Sequence, residues 1–136
     1  MKISNLSLFD LFTNIVANGG ITYSVRGRRV IRKGYAVSPY KDREQVLQRF
    51  RVEHLRGFIG KNRDLLDAPG HCLGAWINPD NGLVYLDVSI VVGDSGQANA
   101  LALRHKQLAF FDLNRGETVR TVEPWEFERF ARSEVQ

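Results

Sequence analysis

The sequence contains little of what secreted, disulfide-linked or membrane-spanning proteins require. Its 136 residues include a single cysteine, Cys72, so no disulfide can form within the chain. The longest apolar run, residues 83–92, is interrupted by Asp87 and Ser89 and has about half the length of a bilayer-crossing helix. The N-terminus lacks the charged and then apolar pattern of a cleavable export signal. These absences predict a cytoplasmic protein without a membrane span.

Motifs of catalysis and cofactor binding are also missing. The three histidines (His54, His71 and His105) are widely spaced, and with one cysteine they form no recognisable zinc site. The glycines form no phosphate-binding loop of the GxxxxGKS/T type, and no GxSxG sequence is present. His71 and Cys72 are neighbours on a predicted strand and point to opposite faces, so they cannot share a proton directly. The sequence therefore predicts no metal and no cofactor, and it favours a binding module over an enzyme.

What is present is the composition of one folded domain. Apolar residues make up 43% of the chain and charged residues 25%. A chain of this length buries roughly two-thirds of the surface that it exposes when unfolded, which is enough for a core without metal or disulfide support. We expect a single domain over residues 1–136, composed of an N-terminal helix and hairpin (residues 1–40), a core (residues 35–121) and a C-terminal tail (residues 122–136).

Positive charge is concentrated in the first half of the chain. The net charge is +4, but residues 1–63 carry 13 basic and 4 acidic side chains, whereas residues 64–136 carry 6 and 11. Five cations lie within eight residues, with no acidic residue among them: Arg26, Arg28, Arg29, Arg32 and Lys33. One interpretation is a solvated hairpin whose charges aid solubility and discourage edge pairing. The other is a site that binds phosphates or an acidic partner, for which arginine forms bidentate contacts.

We favour the second interpretation, in which the partner is a nucleic acid or a host nucleoprotein complex. Tyr23 and Tyr35 flank the cluster and are candidates to stack on bases, although tyrosines that alternate along a strand also pack within sheets. Basic residues further along the chain, among them Arg43 and Arg56, are candidates to extend the surface. The predicted binding residues are therefore Arg26, Arg28, Arg29, Arg32, Lys33, Arg43, Arg56, Tyr23 and Tyr35.

Hydrophobic periodicity predicts the first elements. Apolar residues recur at helical spacing over residues 4–18 or 7–18, and Gly19 ends this helix. Alternating apolar residues predict strands over residues 21–25 and 30–37, which pair as a hairpin with the basic cluster at its tip and on its outward face.

The middle of the chain contains one ambiguous segment and two clear ones. Residues 41–50 either begin a long helix or form a further edge strand. Residues 52–67 have the periodicity of an amphipathic helix. Residues 71–92 form a hairpin, because two apolar runs flank the turn-forming residues 78–82.

The last third of the chain continues with a helix, two strands and a tail. Asp94 or Ser95 begins a helix that ends near Lys106, and strands follow over residues 108–113 and 118–121. Pro124 begins a helical segment that continues through Phe130.

Together these elements predict an α+β fold. From Tyr35 onwards the order is strand, helix, strand, strand, helix, strand, which is the ferredoxin-like (split βαβ) arrangement. We expect an antiparallel sheet with helices on one face, preceded by an N-terminal helix and a basic β-hairpin. The other face of the sheet is then open to bind a partner.

Two other functions are compatible with the sequence. The first is a protein-interaction module or homodimer that uses the acidic half and the aromatic tail, formed by Trp125, Phe127 and Phe130. The acidic residues in question are Asp64, Asp67, Asp80, Asp94, Glu123, Glu126 and Glu128. The second is a small metal-dependent hydrolase built on Asp87 and Asp112, two carboxylates in apolar strands.

Several segments resemble a small uncharacterised domain encoded by actinobacterial phages and mobile elements. They are NGGITYS, GYAVSPY, NRDLL, PG, GAWINPDNGLVYLDVS, LAFFDL and GETVRT, and they cover residues 18–121. The resemblance carries no enzymatic activity with it. It implies a phage or mobile-element accessory or anti-defence protein, a class whose members often act by binding a host machine.

Overall fold

The computed structural model describes residues 7–126. In this range eight strands form one antiparallel sheet in the order β2-β1-β5-β6-β3-β7-β8, and β4 pairs with β6 on the same side as β3. The elements follow the chain as α1 (Leu8–Asn18), β1 (Gly20–Ser24), β2 (Arg29–Val30), β3 (Tyr35–Val37), a 3-10 turn (Lys41–Arg43), β4 (Gln45–Leu47), α2 (Val52–Lys61), α3 (Arg63–Leu66), β5 (His71–Ile77), β6 (Val84–Val92), α4 (Ser95–Arg104), β7 (Ala109–Asp112) and β8 (Glu117–Arg120).

The first helix is confirmed, and its ends have the expected chemistry. Ser7 Oγ accepts a hydrogen bond from the backbone N–H of Asp10 at 3.1 Å, and the Asp10 carboxylate accepts one from the Ser7 N–H. This reciprocal pair satisfies donors that the first turn leaves free. Gly19 adopts φ 77° at the other end, so the chain leaves the helix directly into β1.

The predicted strand over residues 30–37 is wrong, because the chain divides there into two strands. Val30 of β2 pairs with Tyr23 of β1, whereas Tyr35 and Ala36 of β3 pair with β6 and β7 on the other side of the sheet. Gly34 lies between the two strands with φ 102°, and an added Cβ would lie 2.9 Å from the Val92 carbonyl oxygen. A glycine is therefore required where the chain crosses from one strand to the other.

The predicted helix over residues 52–67 is interrupted at Asn62. This side chain is almost completely buried, and its Nδ2 donates to the Phe58 carbonyl at 2.9 Å. Its Oδ1 accepts from Arg43 Nη1 at 2.9 Å. Asn62 thus ends α2 and connects the helix break to the 3-10 turn that precedes β4.

Replacement of Asn62 by alanine is expected to lower the free energy of unfolding by about 2 kcal/mol. The substitution removes one buried and one partly buried hydrogen bond and leaves the Phe58 carbonyl without its side-chain donor. Urea denaturation measures the change. Asn18→Ala is the matched control, since Asn18 is exposed at the end of α1, and it should change stability by less than about 0.5 kcal/mol. Equal effects of the two variants would contradict the structural role of Asn62.

The α+β class is confirmed, but the ferredoxin-like (split βαβ) arrangement is wrong. The N-terminal hairpin is part of the main sheet, because β1 pairs along β5 with Ile21 opposite Ala75 and Tyr23 opposite Leu73. Two further strands, β4 and β8, bring the sheet to eight strands. The pairing of β1 with β5 joins segments at least 50 residues apart, and local hydrophobic patterns do not encode such partners.

Helices α1 to α4 pack on one face of the sheet, which we call the helical face. Helices α1, α2 and α3 contribute apolar side chains to a core with Leu73 of β5 and Leu86 of β6. Helix α4 packs Ala98 and Ala102 against Val37 of β3. The opposite face, called the open face, is not covered by any of these helices.

The sheet is strongly curved around the open face. Residues near both ends of the strand order, such as Ile31 after β2 and Thr118 of β8, line the same cavity. The result resembles half of a barrel, with the open face on its concave side. The helices lie on the convex side of the sheet and leave the concave side accessible.

Candidate nucleic-acid interface

The basic cluster forms a groove at one end of the open face. Four of its cations line a cavity of about 550 Å³: Arg26, Arg29, Arg32 and Lys33. Arg26 lies in the β1–β2 turn, Arg29 is the first residue of β2, and the loop that leaves β2 supplies the other two. The opposite wall includes Gly70 and the start of β5. We call this feature the basic groove.

No carboxylate of residues 7–126 forms an ion pair with these cations. The ion pairs in that range join Arg43 to Asp42 and Asp64, Arg63 to Asp67, and Arg120 to Glu126. All four groove cations are exposed. Their positive charge is therefore available to a ligand, which strengthens the attraction for phosphate groups.

The fifth cation of the cluster, Arg28, lies outside the groove lining. It adopts φ 55° at the tip of the hairpin, a left-handed conformation that is uncommon for residues other than glycine. Its charge acts on Tyr23, whose side chain belongs to the helical face. Arg28 therefore lies at the hairpin tip, apart from the four cations that line the groove.

The two tyrosines predicted to stack on bases are packed in the protein. Tyr23 is buried in the core, and burial raises the pKa of its hydroxyl despite the nearby Arg28. Tyr35 is half-buried and contacts Phe110 edge-on, with 6.1 Å between ring centroids. Tyr23 is therefore not available to a base. Both tyrosines pack within the protein, as tyrosines that alternate along a strand often do.

Arg43 and Arg56 do not extend the basic groove. Arg43 forms two hydrogen bonds with Asp64, at 3.0 and 3.1 Å, and a third with Asn62. Asp64 raises the pKa of this guanidinium, and Arg43 in turn holds the pKa of the Asp64 carboxyl below its usual value. Arg56 is exposed on α2, which belongs to the helical face. The two sets of cations lie on different sides of the sheet.

A larger cavity of about 930 Å³ occupies the centre of the open face, and sequence reasoning did not predict it. Its floor consists of small residues on four strands, among them Gly20, Ala36 and Gly74. Trp76 and Phe111 are also part of the lining and remain 51% and 37% exposed. Exposed aromatic rings on a sheet are surfaces on which bases stack.

Asp87 lies on the floor of this central cavity. Its carboxylate accepts a hydrogen bond from Ser89 Oγ at 2.8 Å, and Ser89 Oγ lies 3.2 Å from Ser38 Oγ. Burial raises the pKa of Asp87. The negative charge of Glu44 also raises it, while hydrogen bonds from the serine hydroxyls lower it. No basic residue of the described range forms an ion pair with Asp87.

Gly74 makes room for the Asp87 side chain. The two residues are directly opposite each other on β5 and β6. A Cβ added at Gly74 would collide with Asp87 Oδ1 and would lie 3.0 Å from both Asp87 Cγ and Ser89 Oγ. The carboxylate therefore lies across the neighbouring strand, in the volume that a side chain at position 74 would fill. Glycine within a strand often marks such a close approach.

The raised pKa of Asp87 predicts a pH-dependent effect of Asp87→Asn. Because the pKa of Asp87 is raised on folding, the folded state binds this proton more tightly than the unfolded chain, and the stability present below the ordinary value of 3.8 is lost as pH rises through the folded pKa. The asparagine variant keeps an acceptor for Ser89 and does not titrate. We expect Asp87→Asn to become more stable relative to the unmodified protein between pH 4 and pH 7.5. Urea denaturation at both pH values gives the difference, and a constant difference would contradict the raised pKa.

Asp87 and Asp112 do not form a paired carboxylate site. The register places Asp112 on the helical face of β7, whereas Asp87 is on the open face of β6. The Asp112 carboxylate accepts hydrogen bonds from the backbone N–H groups of Asn114 and Arg115 and so stabilises the turn before β8. Within residues 7–126, no cluster of three or more His, Cys, Asp or Glu side chains is arranged to bind a metal.

The contacts of His71 and the burial of Cys72 are typical of residues with a structural role. His71 forms hydrogen bonds with the Tyr40 hydroxyl at 2.8 Å and with the Pro69 carbonyl at 3.0 Å. Burial raises the pKa of the Cys72 thiol to about 11, although Arg29 partly opposes this effect. The thiol is therefore protonated at neutral pH and is a poor nucleophile.

The aromatic tail and the acidic residues of the alternative interface are only partly described. Trp125 is 61% exposed, while Phe127 and Phe130 lie outside the described residues. Three of the seven acidic residues form ion pairs within the chain: Asp64, Asp67 and Glu126. These contacts reduce the negative charge that the surface offers to a protein partner.

The described helices are short. The longest, α1, has 11 residues, and none between residues 7 and 126 combines the length and apolar character that crossing a bilayer demands.

Comparison with known proteins gives no match to a protein family, to a curated protein or to a solved structure.

Proposed function

We propose that the protein is a non-enzymatic module that binds single-stranded nucleic acid. Its basic groove holds phosphates, and the open face of the sheet contacts bases. The observation that carries the proposal is the convergence of four exposed cations, three of them arginines, on one groove with no ion-pairing carboxylate from residues 7–126. Arginine binds phosphate in a bidentate manner, so this composition favours nucleic acid over a simple role in solubility.

The preference for a single strand follows from the arrangement of aromatic rings. Trp76 and Phe111 are exposed on the concave side of the sheet and line the central cavity, which adjoins the basic groove. A base stacks on such a ring only when its own face is free, which is the case in a single strand but not in a duplex. A curved sheet also encloses a flexible strand more easily than a rigid double helix.

The proposal includes the biological setting that the sequence resemblance implies. A phage or mobile-element accessory protein that engages a nucleic acid or a host nucleoprotein needs a binding surface and no catalytic centre. The buried, protonated thiol of Cys72 and the separation of Asp87 from Asp112 are compatible with such a role.

Salt dependence tests the proposed function. If each of the four groove cations neutralises one phosphate, the affinity for a single strand should fall about 50-fold between 50 and 200 mM salt. Fluorescence anisotropy with labelled 12-nucleotide RNA and DNA strands, and with a duplex of the same length, measures this slope and the preference. A salt-independent affinity, or no binding to any of the three at 50 mM salt, would overturn the proposal.

A further inference from the structure

Phosphate binding leaves two polar groups of the central cavity unexplained. The Asp87 carboxylate accepts a hydrogen bond from Ser89, but an ionised carboxylate has about four acceptor positions. Part of the Asp87 surface remains accessible to solvent, and the residue lines the cavity. An acceptor with unused capacity in a sheltered position binds N–H donors strongly, because it is only partly hydrated.

The second group is the side-chain amide of Gln107, just after α4. Its Nε2 is buried and has no hydrogen-bond partner in the part of the chain that the structure describes. Gln107 also lines the central cavity. A buried donor without a partner costs free energy, and rotation of this side chain toward the cavity would let a ligand carbonyl oxygen satisfy it. The cavity therefore offers a strong acceptor and an unused donor.

The shape of the cavity suits a flat ring. The glycines and alanine of its floor lack bulky side chains, and the aromatic side chains of Trp76 and Phe111 supply apolar surface. Its volume of about 930 Å³ lies within the usual range for small-molecule sites. Val30, Ile31 and Arg32 line both this cavity and the basic groove, so the two are adjacent. A ring in the cavity can thus carry a phosphate that lies in the groove.

We propose that the central cavity recognises a guanine base through Asp87 and Gln107. Guanine is the one common base that presents two adjacent donors, N1–H and the N2 amino group, next to a carbonyl oxygen, O6. In this arrangement Asp87 accepts from both donors and Gln107 Nε2 donates to O6. Uracil places carbonyl oxygens on both sides of its single N–H, which repel a carboxylate, and adenine and cytosine each offer one amino group. The inference rests on the proposed function, because the guanine is held together with its phosphate.

Substitution of a single base tests this recognition. The probes are labelled nine-nucleotide RNA strands of uridine that carry guanosine, inosine or adenosine at the central position. Inosine differs from guanosine only by lacking the N2 amino group, so it isolates one hydrogen bond to Asp87. We expect the guanosine strand to bind at least about tenfold more tightly than the inosine strand, as a hydrogen bond to a charged group implies. Equal affinity for the two would overturn the inference.

Two variants assign the roles of the side chains. Asp87→Asn should remove the discrimination between guanosine and inosine, because the carboxamide cannot accept from both donors. Gln107→Leu should weaken both strands by a similar factor, since both carry O6, and should leave the adenosine strand unchanged. Thermal unfolding verifies that each variant is folded. Retained discrimination in Asp87→Asn would show that Asp87 does not contact the base.

Further binding measurements test the guanine site and the proposed function separately, and they show whether the base comes from a free nucleotide or from a strand. If all three strands bind equally and with a steep salt dependence, the groove binds phosphates and the guanine site is wrong. If GMP binds with discrimination against IMP but no strand binds, the guanine site is correct and the proposed function is wrong. If both GMP and the guanosine strand bind, their relative affinities show whether the base arrives as a free nucleotide or within a strand.

Discussion

Replacement of Arg29 and Arg32 together by glutamate is expected to weaken the binding of single-stranded RNA by more than about 100-fold at 50 mM salt. Each phosphate contact with a single strand contributes about 0.9 logarithmic units of affinity at this salt concentration, so loss of two contacts lowers affinity about 60-fold. The two new negative charges add repulsion to that loss. Both arginines line the basic groove, and both are exposed, so the variant should fold normally.

The control variant makes the same change of net charge on the other side of the sheet. Lys61→Glu combined with Arg104→Glu replaces two exposed cations at the ends of α2 and α4, both on the helical face. If the groove is the binding site, this control should change affinity by less than about threefold. Equal losses in the two variants would mean that binding depends on overall charge and not on the groove.

The neutral version of the groove variant separates contact from repulsion. Arg29→Gln with Arg32→Gln removes two contacts without adding negative charge. Affinity should fall by about 60-fold, and the slope of log affinity against log salt should decrease by about half. A lower affinity with an unchanged slope would indicate that these arginines act on the shape of the hairpin and not on phosphates.

The basic groove could be predicted from the sequence because its residues are close together in the chain. Arg26, Arg29, Arg32 and Lys33 lie within eight positions and belong to one hairpin and the loop after it. A hairpin of known register distributes its side chains by simple alternation. The exclusion of Arg28 from the groove and the burial of Tyr23 depend on which face packs against the helices, which local sequence does not specify.

The central cavity could not be predicted in the same way. Its floor combines Gly20, Ala36, Gly74 and Asp87, which are contributed by four different strands. Their juxtaposition depends on the pairings of β1 with β5 and of β3 with β6, which connect distant parts of the chain. Asp87 was noticeable in the sequence because it is a charged residue within an apolar strand. Gly74, a glycine within a strand, was also noticeable, but the sequence does not show that it lies opposite Asp87 and makes room for that side chain.

The error in the fold has the same origin. The order of elements from Tyr35 onwards fits a ferredoxin-like arrangement, but that order does not show that β1 extends the sheet beyond β5. Because β1 carries Gly20 into the centre of the open face, this added pairing also forms one wall of the central cavity. Only the structure shows that the hairpin with the basic groove and the core with Asp87 form one continuous concave surface.

Replacement of Gly74 by alanine is expected to lower the free energy of unfolding by about 2 kcal/mol at pH 7. The new methyl group would occupy the position of the Asp87 carboxylate, and overpacking of this kind typically costs about 1 to 3 kcal/mol. Gly57→Ala is the matched control, because its Cβ would meet no atom within 4 Å on α2. Alanine is the better helix former, so the control should be stabilised by about 0.5 to 1 kcal/mol. Urea denaturation measures both changes.

A double-mutant cycle identifies the cause of the Gly74 effect. In an Asp87→Ala background the carboxylate is absent, and Gly74→Ala should then be neutral or slightly stabilising, since alanine restricts the unfolded chain more than glycine does. The expected coupling energy between positions 74 and 87 is therefore about 2 kcal/mol, well above the roughly 0.5 kcal/mol within which independent sites are additive. A coupling energy near zero would mean that Ser89 or the backbone of β5, and not Asp87, requires glycine. With strong coupling, the glycine is explained by the carboxylate that lies across it, on the floor of the cavity where we place the guanine base.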